Sequence, residues 1–373
     1  MKQIVLVGAG HTHAYVLSRW RRTPIPDAQL TCVSQYPVAT YSGMLPAVLA
    51  GLVPPDAMQI DLAALCAAAG GRLVVARASR LDVATRHLAL EDGTTVPFDV
   101  LSVGVGSVPD VDGVDVEPTS MRVDVKPMQT FLERLSAAVT RRTSRGRPMH
   151  VAVVGGGAAG VELALCAPRH VASLTGESDA RCLLVTAGRV LDGSRAATAE
   201  RARAALARRG VIVREHTRVA AVGSDHLAFN DGTSASVDVA IWVTAAVAGP
   251  FLRQTGLPVD PRGFLRTTDA LQSVARVPVF AVGDAGTMDG VDIPKAGVHA
   301  VRQGPVLWAN LRRLLEGRVL RRYAPQRTFL KLLNTGDGAA IGEWRGWTFE
   351  GRAAGALKTW IDGRFVRRYR VPG

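Results

Sequence analysis

Twice in this chain an apolar run stops at a glycine-rich turn and restarts as an amphipathic helix, and that repeat constrains the fold more than any other feature. The first run is Ile4-Val5-Leu6-Val7 into Gly8-Ala9-Gly10-His11-Thr12-His13, with Tyr15, Val16, Leu17 and Trp20 carrying the helical pattern. The second is Val151-Ala152-Val153-Val154 into Gly155-Gly156-Gly157-Ala158-Ala159-Gly160-Val161-Glu162. Such a turn suits a pyrophosphate: the first glycine takes the bend and the second lets backbone approach the phosphate. The third lets helix and strand pack closely, and the helix N-terminus faces the anion. Gly155, Gly157 and Gly160 fill all three places. In the first loop Gly8 and Gly10 fill two, and His13 stands in the third. Its imidazole either donates to a phosphate or ribose, or is a surface or packing group.

Each unit has a companion hairpin: His87 to Thr94 before Asp99-Val100, and His226 to Thr233 before Asp238-Val239, both turning on Asp-Gly. The repeated register predicts an α/β protein with two Rossmann-like dinucleotide-binding domains related by internal duplication. The strand Val279 to Asp284 and a helix from Ala296 to Leu315 are assigned back to the first domain, making it discontinuous. The expected boundaries are 1–112 and 251–322 for the first domain, 113–250 for the second and 323–373 for a C-terminal segment.

Both units lack the acidic residue that usually bonds the adenosine ribose at the end of the second strand. The first reads Cys32-Val33-Ser34-Gln35, where Ser34 or Gln35 can bond a hydroxyl. The second reads Val185-Thr186-Ala187-Gly188-Arg189, which leaves a 2′-phosphate tolerable.

A length of 373 residues, 47% hydrophobic and 21% charged, fits two domains with little disordered chain. The net charge of +13 comes mostly from scattered arginines that are not set beside base-stacking aromatics, so no nucleic-acid partner is expected. Cys32, Cys66, Cys166 and Cys182 form no CxxC or CxxxxC pair, which argues against a zinc ribbon or a local redox disulfide and suits a reducing compartment. His11 and His13 lie about 200° apart around a helix, so no metal site is expected there. Glycines interrupt both the N-terminal apolar run and the Val151–Cys166 stretch, so neither an export signal nor a membrane span is read. The expected location is cytoplasmic, with peripheral attachment to the inner face of the cell membrane as the variant.

Together the Gly8-x-Gly10 start, the Gly155-to-Glu162 motif and Gly283-Asp284 resemble the pyridine nucleotide-disulfide oxidoreductase superfamily of the glutathione-reductase type. Within it the chain is most similar to type II NADH dehydrogenase-like flavoproteins. Val7 to His13, Tyr41-Ser42-Gly43-Met44-Leu45-Pro46 and Pro294-Lys295-Ala296-Gly297 resemble the branch often fused ahead of selenophosphate synthetase, although no synthetase domain follows. The resemblance implies FAD in the first domain and NAD(P)H in the second, with Glu162 part of the second motif. Asp284, after Gly283, matches the aspartate that accepts a hydrogen bond from the flavin's hydroxyl chain. Leu101 to Ser107 resembles a family strand ending near the cofactor, with Gly106 in the usual place. Tyr41 to Pro46 matches the stretch lining the isoalloxazine, where Met44 and Pro46 offer apolar walls.

Hydride transfer from nicotinamide to flavin needs stacking at about 3–3.5 Å more than acid–base side chains. The helix start Lys295-Ala296-Gly297-Val298-His299, with Gln303 one to two turns on, is the candidate for stabilising charge on the flavin, so Lys295 and Gln303 are the candidate catalytic residues. With no cysteine pair near Met44, electrons are expected to pass directly to a quinone or other small acceptor. The alternatives are a sulfide- or selenide-linked flavoprotein and a non-catalytic FAD-binding partner in selenium metabolism. In the tail, Ala353, Ala354, Leu357, Trp360, Ile361 and Phe365 recur at helical spacing among arginines, reading either as a membrane-surface helix or as one packed on the FAD domain or a homodimer partner.

Overall fold

The computed structural model describes residues 1–142, 147–177, 180–326 and 328–371. It is a mixed α/β protein in which each glycine turn leaves the central strand of a five-stranded sheet. The first sheet runs Val279–Ala281, Val100–Val103, Lys2–Val7, Ala28–Ser34, Arg72–Val75, and the second runs Arg122–Asp124, Val239–Trp242, His150–Val154, Arg181–Val185, Ile212–Arg214. Every pairing in both is parallel. Both faces of a parallel sheet are covered, which is why Ile4 to Val7 and Val151 to Val153 are unbroken apolar runs and are fully buried.

The duplication extends to the hairpins. His87–Leu90 pairs with Thr95–Pro97, and His226–Phe229 with Ser234–Ser236. In each turn the aspartate accepts the threonine amide and hydroxyl two residues on: Asp92 from Thr94 at 2.9 and 2.7 Å, Asp231 from Thr233 at 3.0 and 2.6 Å. The sheets differ in where the edge strand comes from. The second takes Arg122–Asp124 from just upstream, whereas the first takes Val279–Ala281 from beyond the whole second unit.

The helix after the first turn, His11–Arg22, packs along the helix Gly297–Leu315. Thr12 Oγ1 donates to the Ala300 carbonyl at 2.6 Å, and a Cβ on Gly304 would sit 2.8 Å from the Tyr15 side chain. The chain then forms an antiparallel sheet, Lys331–Asn334, Ala340–Trp344 and Trp347–Gly351, followed by the helix Arg352–Arg367. This segment bridges the two units. Glu343 accepts from Thr198 Oγ1 of the second at 2.7 Å, and Lys358 donates to the Gly43 carbonyl of the first at 2.9 Å.

The burial of that last helix departs from the sequence pattern. Lys358 and Asp362 are buried, while Ala353, Leu357 and Trp360 face outward and Phe365 is half-buried on Tyr41. A charged i,i+4 pair holds the inner face because it meets polar partners there. No described helix is long and apolar enough to cross a membrane.

Candidate active site

Both glycine turns open into one cleft of about 790 Å³, lined by Gly10 and His11 on one side, Gly157 to Gly160 on another, and Asp284 and Lys295 on a third. Gly8 and Gly155 do equivalent jobs beneath it. Gly8 has φ +82°, and a Cβ there would lie 2.6 Å from the Gly104 carbonyl oxygen; Gly155 has φ +130°, and its Cβ would lie 2.4 Å from that of Val243. Gly157 is different, because a Cβ there would meet no protein atom within 4 Å. Packing does not require glycine at that position, but close approach of a ligand to the backbone does. Gly10 is nearly as open, its Cβ meeting only the Gly104 carbonyl oxygen at 3.6 Å, whereas Gly106, with φ +78°, is favoured as glycine by its backbone alone. Backbone laid bare at two helix N-termini fits two pyrophosphates.

The third positions diverge. A Cβ on Gly160 would fall 1.7 Å from the Gly155 carbonyl oxygen, so helix and strand close directly on one another. His13 instead fills that space and is fully buried. Burial outweighs its bond to Gly8 and pulls its pKa down to about 4, so the ring is neutral. Since a carbonyl only accepts, Nδ1–H donates to Gly8 O, and Nε2 accepts from Ser102 Oγ at 2.8 Å. Neither nitrogen is left for a phosphate or ribose, which corrects the donor role and leaves His13 as the packing element of the turn.

Three further candidates stand behind the lining of the cleft. Gln303 is buried, and its Oε1 accepts the Gly283 amide at 2.6 Å, so it holds the Gly283-Asp284 turn. Met44 points into the core, and its neighbours Ser42, Gly43, Leu45 and Pro46 form the wall. Ser34 stands at the end of its strand but is buried, and it does not line the cleft.

Lys295 does line the cleft. Its ammonium donates to Gly286 O at 2.6 Å and Thr287 Oγ1 at 2.9 Å and lies 3.9 Å from the Phe264 ring centroid; burial lowers its pKa to about 8. Asp284 Oδ2 accepts from Ser107 Oγ at 2.7 Å and from Lys126 Nζ at 2.9 Å. Burial raises this carboxyl, but Lys126 and Ser107 outweigh it, and the net shift is below the ordinary aspartate value.

Several residues here gave no local signal in the sequence. Lys126 reaches Asp284 across 158 residues. His11, neutral because burial brings it to about 4, packs against the stacked rings of Tyr41 and Phe365 at ring separations of 5.3 and 5.2 Å. Tyr41 donates to Asp362 at 3.0 Å, Asp362 accepts from Lys358 at 3.1 Å, and Lys358 lies 3.8 Å from Glu162, which accepts the Asn334 amide at 2.7 Å. Burial pushes Glu162 up to about 7 against the opposing pull of Lys358. In the sequence Tyr41 and Glu162 stand inside the Tyr41–Pro46 and Gly155–Glu162 motifs, and the Lys358/Asp362 spacing on an otherwise small, apolar helix face is the trace of the charges that join them. All four cysteines are buried, and none lines the cleft.

Residues 2–304 match the family model for pyridine nucleotide-disulphide oxidoreductases. The chain belongs to that family. As in its members, the enzyme is an FAD-dependent oxidoreductase that uses NAD(P)H, and its branch is the one resembling type II NADH dehydrogenases. Demethylphylloquinone reductase NdbB from Synechocystis sp. is 27% identical over 295 residues, 74% of this chain and 68% of that protein. Type II NADH:quinone oxidoreductase from Haemophilus influenzae is 28% identical over 202 residues, half of this chain and 45% of that protein. The sulfide:quinone oxidoreductase of Aquifex aeolicus superposes with a TM-score of 0.81 at 16% identity, covering 99% of this chain and 92% of its own.

Proposed function

We propose that this flavoprotein takes a hydride from NAD(P)H and delivers two electrons to a quinone, with no thiol relay, at a membrane surface. FAD, when bound, supplies the redox chemistry; the chain binds, orients and manages protons. The proposed FAD site is the first turn, Gly8 and Gly10, with Gly106, Gly283 and Asp284 along the cleft, Lys295 beside it, and Gln303 and Met44 supporting from behind. Ser34, by its place at the strand end, is kept as the adenosine-side residue. The proposed nicotinamide site is Gly155, Gly157 and Gly160, opposite, with Glu162 in the wall. Because both turns share one cleft, the two ring systems can meet without a domain movement.

The observation that carries the acceptor assignment is a cleft with a buried acid–base network and no cysteine in its described lining. Reduction of a quinone to a quinol takes up a hydride equivalent, which NAD(P)H supplies, and one further proton, which an acid beside the cleft can deliver. Glu162, poised near neutrality and tied through Lys358 and Asp362 to Tyr41, can hold and release a proton at working pH. The quinone reductases among the relatives favour the same acceptor class.

The C-terminal segment favours a membrane address for a lipid-soluble acceptor. Trp344, Trp347, Leu357 and Trp360 are exposed on it, with Arg345 over the Trp344 ring at 5.0 Å and Arg364 over Trp360 at 5.5 Å. Tryptophan and arginine together suit the headgroup layer.

The test is anaerobic stopped-flow of the yellow protein. We expect bleaching by NADH or NADPH and rapid recolouring by a soluble quinone. Bleaching by sulfide but by neither nicotinamide would overturn the proposal in favour of a sulfide-linked enzyme.

A further inference from the structure

At the cleft an ion pair joins the two nucleotide-binding units, made by a residue of the second unit on a carboxylate of the first. Lys126 follows the edge strand Arg122–Asp124 of the second sheet, and Asp284 follows the edge strand Val279–Ala281 of the first. The loop carrying the lysine is braced by Arg134, which donates to the Asp124 carbonyl at 2.8 Å and the Pro127 carbonyl at 2.9 Å. Ser107, on the crossover between the units, donates to the same Asp284 oxygen and accepts from Lys126. Three separate chain segments thus meet at one carboxylate whose side chain is only 19% exposed.

We propose that Lys126 is a positioning residue for the flavin: carried by the nicotinamide unit, it keeps Asp284 fixed as a hydrogen-bond acceptor, so that flavin retention depends on the second unit being docked. The inference rests on the reading that Asp284 holds a flavin hydroxyl. A largely buried carboxylate is costly to ionise alone, and taking away its partner leaves the charge uncompensated. The other groups facing Asp284 do not replace Lys126. Lys295 acts on it only at a distance while bonded to Gly286 and Thr287, and the His11 ring is neutral. Without Lys126 the carboxyl therefore takes up a proton more readily, and a protonated Asp284 loses acceptor strength.

The experiment measures FAD dissociation constants of the full-length protein from about pH 6 to pH 9 for wild type, Lys126→Met and Lys126→Arg. Wild type should be nearly flat with pH. Lys126→Met should bind FAD about tenfold or more weakly, with the loss growing toward low pH, and Lys126→Arg should restore both affinity and profile. In an Asp284→Asn background, Lys126→Met should add little further loss. Ser107→Ala, a milder change to the same cluster, should weaken FAD less and in the same direction. Wild-type affinity and profile in both Lys126→Met and Ser107→Ala overturn the proposal, as do fully additive losses in the double variant or failure of arginine to restore the profile. A folded wild type that holds no FAD overturns the flavin reading itself, an outcome distinct from a wild type and a Lys126→Met that hold it equally well.

Discussion

The two glycine turns solve the same problem by opposite means. In the second, Gly160 removes a side chain so that the helix can lie on the Gly155 carbonyl. In the first, His13 adds one, and its imidazole satisfies the equivalent carbonyl, that of Gly8, while Ser102 takes the other ring nitrogen. The neighbour adjusts accordingly: Gly104 has no side chain because a Cβ there would sit 2.7 Å from His13 Cε1. What the turn requires is a filled, polar-satisfied junction between strand and helix. The third glycine is one way to make it.

The largest effect should come from the exposed backbone of the second turn. Gly157→Glu places a carboxylate where a pyrophosphate is expected, and we predict at least a roughly 1,000-fold loss in the rate of reduction by NAD(P)H, about 4 kcal/mol, with FAD retained. Stopped-flow and the visible spectrum read the two halves separately, and loss of the yellow colour would break the assignment of one turn per cofactor. Next, His13→Gly restores the glycine pattern yet should destabilise the protein by about 3 kcal/mol, since it opens a cavity and strands Gly8 O. Urea denaturation checks this, and a neutral or stabilising result would mean that the pattern matters more than the junction.

Of similar size is the acid limb. His13 ionises near 4 in the folded state and near 6.5 unfolded, so its contribution is complete above pH 6.5 and is lost as pH falls from there through about 4. The loss should amount to roughly 3 kcal/mol and be absent from the pH–stability curve of His13→Asn, whereas Gly160 offers nothing to titrate. The smallest effect is the coupling between neighbours: Gly104→Ala should be harmful alone and milder by about 1 kcal/mol in a His13→Gly background.

The fold was legible because its signals are local. A strand, a glycine turn, a helix and an Asp-Gly hairpin each occupy a few consecutive residues, and their recurrence announced a pair of α/β domains. The site was legible only where it coincided with those signals, at Gly8, Gly10, Gly155, Gly157 and Asp284. Lys126 and Asp362 were missed, and Tyr41, read as part of the loop through Pro46, was not tied to Asp362, because the partners lie 158 and 321 residues apart and no periodicity encodes such pairings. Gln303 and Met44 lie at the expected loops but behind the lining of the cleft. Position along a helix or turn was readable, whereas the direction of the side chain depended on packing. The tail is a related case: its apolar spacing left a surface helix and a packed helix both open, and Lys358 and Asp362, on the same face as Ala354 and Phe365, are buried because Tyr41, Gly43 and Glu162 supply the partners that make their burial possible.

The differing origin of the edge strands fixes an order of completion during synthesis. Once Trp242 has emerged from the ribosome, every strand of the second sheet exists, while the first, although begun at Lys2, still lacks its border until Ala281 appears. The half of the molecule that is translated later is therefore the first able to close, and the earlier half must wait with an open flank for the chain to come back to it.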